Sequence, residues 1–283
     1  MFLYKVYAPA PPLQPFVANY AIVENTAPLS HHILMKAALV LSITYKGVMK
    51  LSGEEEKVYD RFSSGLAGIQ NNYRTIEKEA NTGVLFINFT ETGAAAFFDV
   101  PLHELNNEGV SLDLMLPASR VAQLEETVTL ADTTDERVRR AENFLLSLLQ
   151  ASQQDMLVAA AISIIREAAG NIRVEDLARQ LFISASRLEK RFKHVAGISP
   201  KKFASIIRME SIIRKYQTGI SLTNLAYDAG YFDQAHFIRD MKQYTGMAPR
   251  QLFSSLAVID GDALQPCGFI YGSNLPPSVT DQL

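Results

Sequence analysis

Two pairs of cations recur at the same i, i+3 spacing toward the C-terminal end of this 283-residue chain: Lys190 with Lys193, and Arg239 with Lys242 at an offset of 49. On an exposed helix face an ammonium or guanidinium can donate to guanine O6 and N7 or neutralise a phosphate, and a glutamine amide such as that of Gln234 can pair with adenine N6 and N7. Lys190, Arg239 and Gln234 are therefore base-contact candidates, and Arg187, Lys193 and Lys242 suit phosphates. Other chemistry is harder to find. The N-terminal half has no phosphate-binding glycine loop, no G-x-S-x-G elbow and no His set at metal-ligand spacing. Neither His31-His32 nor His103-Glu104 has the spacing of a metal site, the adjacent histidines read as loop residues, and no metal, cofactor or catalytic residue is assigned. His236 has no second ligand at the right spacing, which makes it a packing or phosphate-contact residue.

The elements that position the cations come as an internal repeat. Leu177-Ala178 returns as Leu225-Ala226; one inserted residue later Leu188, Lys190, Phe192, Lys193, Val195, Gly197 and Pro200 match Phe237, Arg239, Met241, Lys242, Tyr244, Gly246 and Pro249. Each copy starts with a short helical segment, Val174 to Leu181 or Leu222 to Ala229. A tight turn follows, then a second helix beginning after Ser184 or Asp233, both good N-caps. Apolar residues at i, i+4 and i+7 (Leu188/Phe192/Val195 and Phe237/Met241/Tyr244) give each second helix one buried stripe. The opposite face carries Ser186, Glu189, Lys190 and Lys193 in one copy and Gln234, Ala235, Ile238, Arg239 and Lys242 in the other. This is a helix-turn-helix layout, whose second helix enters the major groove. Ser199-Pro200 opens a connecting helix that stops near Gly219; from Pro200 to Gln217 it would span about 27 Å. Two units so joined suit neighbouring major grooves about 34 Å apart.

Charge is divided in the same place. The chain is net −3, but Val158 to Ser254 holds 15 Lys+Arg against 8 Asp+Glu, net +7, leaving 12 against 22 elsewhere, net −10. A local basic excess is the footprint of a polyanion-binding module.

Asp155 to Ser254 resembles the DNA-binding domain of AraC/XylS-type bacterial transcription regulators. The most specific stretch is Ser221 to Leu252, where Ala226, Gly230, Phe232, Gln234, His236-Phe237, Arg239, Lys242, Gly246 and Pro249 fit the family pattern. Two positions depart from it: Arg173 stands where a Ser or Thr N-cap is usual, and Phe182 where glycine is common. The resemblance places Ser186 and Glu189, and Ala235 and Ile238, at the remaining groove-facing positions, the last two offering apolar contact to a thymine methyl. It also implies a cupin-like effector-binding barrel or sandwich in the N-terminal part. The expected class is thus α+β: a β-rich effector domain (1–130), a helical linker or dimerisation helix (131–153), the double helix-turn-helix domain (154–254) and a tail (255–283). Expected partners are double-stranded DNA, a small-molecule effector, a second copy of the chain and, for an activator, RNA polymerase. A cupin-like enzyme with a helical interaction domain and a non-specific architectural DNA binder are the competing readings.

In the N-terminal part, Phe16 to Val23, Ala37 to Tyr45 and Val84 to Phe89 read as strands, with turns at Tyr45-Lys46-Gly47 and Leu51-Ser52-Gly53. Gly93 to Leu105, Pro117 to Val128 and Thr134 to Gln150 read as helical, the last capped by Thr133 or Thr134 with Asp135 and Glu136 in its first turn. Its stripe Val138, Ala141, Leu145 and Leu148 packs on its own domain or pairs two chains. No apolar run approaches the roughly 18 residues of a membrane span and no leader pattern opens the chain, so the location expected is cytoplasmic. The single cysteine, Cys267, can form no internal disulfide and reads as a small apolar residue.

Overall fold

A computed structural model describes residues 2–33, 37–52, 64–69, 73–149, 155–216, 221–231, 233–256 and 270–271. Gly53, Gln150, Gln217, Gly219, Phe232, Cys267 and most of the tail lie outside them. A β-rich N-terminal part is followed by a helical part. Its strands are β1 (Phe2–Tyr7), β2 (Val17–Asn25), β3 (Leu29–Ile33), β4 (Val40–Lys46), β5 (Met49–Ser52), β6 (Ser64–Ala67), β7 (Arg74–Lys78), β8 (Thr82–Phe89) and β9 (Gly109–Ser111). They form two open sheets, β1-β2-β8-β4-β6-β9 and β3-β7-β5, the second extended at β3 by the short β10 (Ile270–Tyr271). Of the expected barrel or sandwich, the described strands make the sandwich.

The six-stranded sheet has two different faces. Register puts Tyr20, Ile87 and Leu41 on one face with Ile22, Leu85 and Ile43, all buried. This apolar face packs on α1 (Ala118–Thr129) and α2 (Thr134–Leu148), whose Val121, Leu124, Val128, Val138, Ala141 and Leu145 complete the core. The Arg137 guanidinium lies 4.3 Å above the Tyr45 ring, and Tyr7 donates to Thr134 at 2.5 Å. Thr133 caps α2 by accepting from the Glu136 amide, with Asp135 and Glu136 in the first turn where the helix dipole favours them. The whole stripe Val138/Ala141/Leu145/Leu148 is buried inside the chain, so it is not a free surface on which two copies could pair. The opposite face, toward the second sheet, is made of smaller and more polar residues: Asn19, Ala21 and Val23 opposite Asn88, Phe86 and Val84, and Ser42 and Thr44 beyond them.

Two expectations need correction. Gly93 to Leu105 is not one helix but two 3-10 turns, Gly93–Ala96 and Leu102–Leu105. Pro101 separates them, and Gly93 lies so near the Phe16 carbonyl that a Cβ there would be 1.8 Å from its oxygen. His31 and His32 are not in a loop; they lie in β3, paired with Ile76 and Thr75 of β7. Among the described residues no helix is long and apolar enough to cross a membrane, and no His, Cys, Asp or Glu cluster is gathered to hold a metal.

The helical part comprises α3 (Met156–Glu167), α4 (Val174–Gln180), α5 (Ala185–Ala196), α6 (Pro200–Lys215), α7 (Leu222–Asp228), α8 (Gln234–Thr245) and α9 (Pro249–Leu256). The buried core is continuous from the sheet through α1 and α2 into these helices.

Candidate nucleic-acid interface

The two copies of the repeat fold alike because their local instructions are alike. Ser184 opens α5 by accepting from the Arg187 amide at 3.3 Å, and Asp233 opens α8 by accepting from the His236 amide at 2.6 Å. Leu188, Phe192 and Val195 are buried on α5, as are Phe237, Met241 and Tyr244 on α8. Both helices end in a left-handed glycine, Gly197 at φ +78° and Gly246 at φ +73°, whose amides donate to the carbonyls of Lys193 and Lys242. The connecting α6 is capped by Ser199, begins at Pro200 and ends at Lys215. Its 16 residues span about 24 Å.

The turn between paired helices differs between copies. Gly230 takes φ +74° at the α7–α8 turn, whereas the equivalent Phe182 of the α4–α5 turn takes φ +53° with its ring 97% exposed. Without a Cβ, glycine adopts this conformation freely; phenylalanine is strained there and receives no packing in return. Arg173 precedes α4 and makes no side-chain cap, so the first unit keeps the fold despite both departures.

On α5, Ser186, Arg187, Glu189 and Lys190 are exposed and Lys193 is half-buried; on α8, Gln234, Ala235, Arg239 and Lys242 are exposed and Ile238 is half-buried. Lys190 on α5 and Ala235 and Arg239 on α8 lie opposite the buried stripe, whereas Gln234, one turn before Phe237, and Ile238, packed partly against the core, lie toward its edge. Lys193 is bound to Glu189 at 2.9 Å, so those two neutralise each other. His236 packs edge-on to Tyr231 at 5.1 Å between ring centres, with Nε2 3.6 Å from the Asp240 carboxylate, which also accepts from the Tyr231 hydroxyl. It belongs to the packing of α8.

The structure adds cations that the repeat alone did not single out. Lys202 sits 4.8 Å over the Tyr244 ring and Arg208 4.6 Å over that of Tyr231, cementing α6 to the second unit. Burial lowers the Lys202 pKa and pushes the Tyr244 hydroxyl up to about 12. Beside α4 and α6 lies a groove of about 960 Å³ lined by Asn171, Arg173, Arg179, Lys201 and Arg208, among others. The net positive charge of this segment was its only trace in the sequence.

Both recognition-type helices touch the β-rich part at their capping glycines. A Cβ on Gly197 would lie 3.3 Å from the Leu102 carbonyl oxygen, and one on Gly246 would lie 2.8 Å from the Tyr73 ring. The Tyr73 amide also donates to the Gln243 carbonyl at 3.4 Å, and Arg166 of α3 pairs with Glu91.

Comparison with known proteins matches residues 177–255 to a helix-turn-helix domain model and residues 5–111 to a domain of unknown function (DUF6597). An uncharacterized HTH-type transcriptional regulator of Haemophilus influenzae is 27% identical over 114 residues, 39% of this chain and 38% of that protein; the match thus spans well under half of the relative's length. Among solved structures, ToxT from Vibrio cholerae is 15% identical, covering 89% of this chain and 98% of ToxT, at a TM-score of 0.43. The C-terminal domain of AraT, a response regulator from Geobacillus stearothermophilus, is 26% identical, covering 35% of this chain and 85% of that one, at a TM-score of 0.33. The AraC-like transcriptional activator CuxR is 17% identical, covering 78% and 89%, at 0.29. Structural likenesses at such TM-scores carry no functional argument.

Proposed function

We propose that this chain, whose C-terminal part is an AraC/XylS-type double helix-turn-helix domain, is a sequence-specific transcription regulator that sets α5 and α8 into two successive major grooves. One observation carries the reading: two similarly capped helices present basic outer faces while the rigid α6 fixes their separation. Lys190, Arg239 and Gln234 read base edges, with Ser186, Glu189, Ala235 and Ile238 beside them; Arg187, Lys193 and Lys242 hold phosphates. The β-rich part receives a small effector and acts through the contacts at Gly197 and Gly246, because a shift of the sheets moves both helix ends. Its partners are double-stranded DNA, that effector and, where it activates, RNA polymerase. A homodimer would have to form through a surface other than the buried α2 stripe.

Sequencing of sheared genomic DNA captured by the full chain tests this, alongside the Lys190→Ala/Arg239→Ala double variant. A two-part motif about one helical turn apart, lost in the variant, is expected. Equal, motif-free capture by both would replace this reading with that of a non-specific architectural binder.

A further inference from the structure

The described helices end at Leu256, yet two residues of the tail return to the β-rich part. Ile270 and Tyr271, as β10, pair antiparallel with Ile33 and His32 of β3. Among the described strands β3 would otherwise be the outer edge of its sheet, a row of backbone amides and carbonyls ready to pair with an arriving strand. A β-branched and an aromatic residue suit that role.

The place of this pairing matters more than its length. The same rows continue from β3 to β7, where Ile33 lies opposite Arg74 and His32 opposite Thr75. The residue before Arg74 is Tyr73, whose amide donates to the Gln243 carbonyl of α8 at 3.4 Å and whose ring lies against Gly246. One backbone path therefore runs from the tail through β3 and β7 to the last turn of α8. Gln234 and Ala235 stand at the other end of that helix, with Arg239 midway, and all three are exposed. The contact holds α8 without covering its reading residues.

We propose that the β3 edge is a strand-addition site for the chain's own C-terminal segment, and that docking of this segment steadies α8 for DNA. Main-chain pairing onto a sheet edge is a general way of holding an extended segment. The reach is sufficient, since 13 residues, 257–269, can span up to about 45 Å. A tail tethered to the same molecule arrives at an effective concentration of about millimolar, whereas the tail of a second copy arrives only at the concentration of the free chain. Held at its C-terminal end, α8 loses less freedom on entering a groove, so docking favours DNA binding. This last step rests on the reading of α8 as a groove-entering helix; the docking does not.

Cross-linking of the full chain in a Cys267→Ser background tests the docking. His32→Cys/Tyr271→Cys puts one thiol on each strand at opposed positions, and mild oxidation of a dilute solution should give a cross-linked monomer about tenfold faster than Ser52→Cys/Tyr271→Cys, whose first thiol sits on β5 at the far edge of the sheet. Equal rates would remove the site, and disulfide-linked dimers would give the edge to a second copy and overturn the intramolecular pairing. The coupling is tested with Ile270→Pro/Tyr271→Pro, which lacks both strand amides, against Ile270→Val/Tyr271→Phe, which keeps them. The proline variant should bind the captured DNA motif about threefold or more weakly, and its Tyr73 amide hydrogen should exchange faster by a similar factor. Equal affinity and equal exchange would overturn the coupling to α8. If the wild type captures no motif, the regulator reading fails, and the cross-link and the Tyr73 exchange still decide the docking.

Discussion

Lys78→Met exchanges a buried ammonium for an apolar group of similar length, and its effect on stability follows from where the proton sits. The lysine titrates at its usual 10.5 in the unfolded chain and at about 7 in the folded one. Between those values the unfolded state holds a proton that the folded state lacks. Stability therefore rises with pH across that window, by about 1.4 kcal/mol per unit where only the unfolded lysine is charged. It is lowest below the folded value, where both states are protonated, and levels off above the unfolded one. Because the folded group is still half-protonated near pH 7, the gain from pH 7 to pH 9 is about 2 kcal/mol. Urea denaturation of both chains at pH 7, 8 and 9 measures it, since the difference between wild type and Lys78→Met cancels the groups they share. The wild type should gain about 2 kcal/mol on the variant over this range. The variant should be the more stable at pH 7, where the buried amine lacks any partner. Parallel pH profiles would refute the argument, for they would mean that the amine is hydrated or paired in solution.

Arg239→Ala and Lys190→Ala should each cost about 1–3 kcal/mol on the specific site and relax preference at one base pair; equal loss on random DNA in a competition assay would remove them from base reading. Lys242→Ala should weaken binding to every sequence and reduce the salt slope by about one, whereas Lys193→Ala, whose charge is already met by Glu189, should change the slope less. Phe182→Gly should stabilise the chain by about 0.5–1 kcal/mol, the relief of a left-handed phenylalanine less the added freedom of an unfolded glycine; an unchanged melting temperature would mean that the turn is not strained. Gly246→Ala should lower the melting temperature by more than the left-handed penalty of about 1 kcal/mol, because the new methyl also meets the Tyr73 ring. Tyr73→Ala should restore part of that loss, and no restoration would argue against the contact.

The repeat is legible in the sequence because its information is local. In each copy the cap (Ser184 or Asp233), the stripe at i, i+4, i+7 and the glycine at the helix end all lie within 13 positions of each other, and α2 is legible for the same reason through Thr133 and its acidic first turn. The sheets are not, because their partners are distant in sequence: β2 pairs with β8, and β3 with β7. Strands β1, β3, β5, β6, β7 and β9 carry too little alternation of their own to be seen singly. Lys78 shows the cost of this. In Arg-Thr-Ile-Glu-Lys it looks like one more surface charge, and only once β7 is a strand does its parity with Ile76 turn it inward. The helix expected over Gly93 to Leu105 does not form because its apolar residues answer to the aromatic cluster of Phe16, Phe89, Phe97 and Phe98 rather than to a helix period.

The joints between the two parts have an asymmetry with evolutionary weight. On the helical side the contact points are Gly197 and Gly246, places where the left-handed backbone favours glycine over any residue with a Cβ. On the sheet side they are Leu102, buried in the core and met through its carbonyl oxygen, and Tyr73, met through a partly exposed ring. Of the four contact positions, Tyr73 is therefore the one at which a side chain can change with the least cost to the fold. A lineage can change its response by altering the β-rich surface while leaving its reading heads, and hence its operators, untouched.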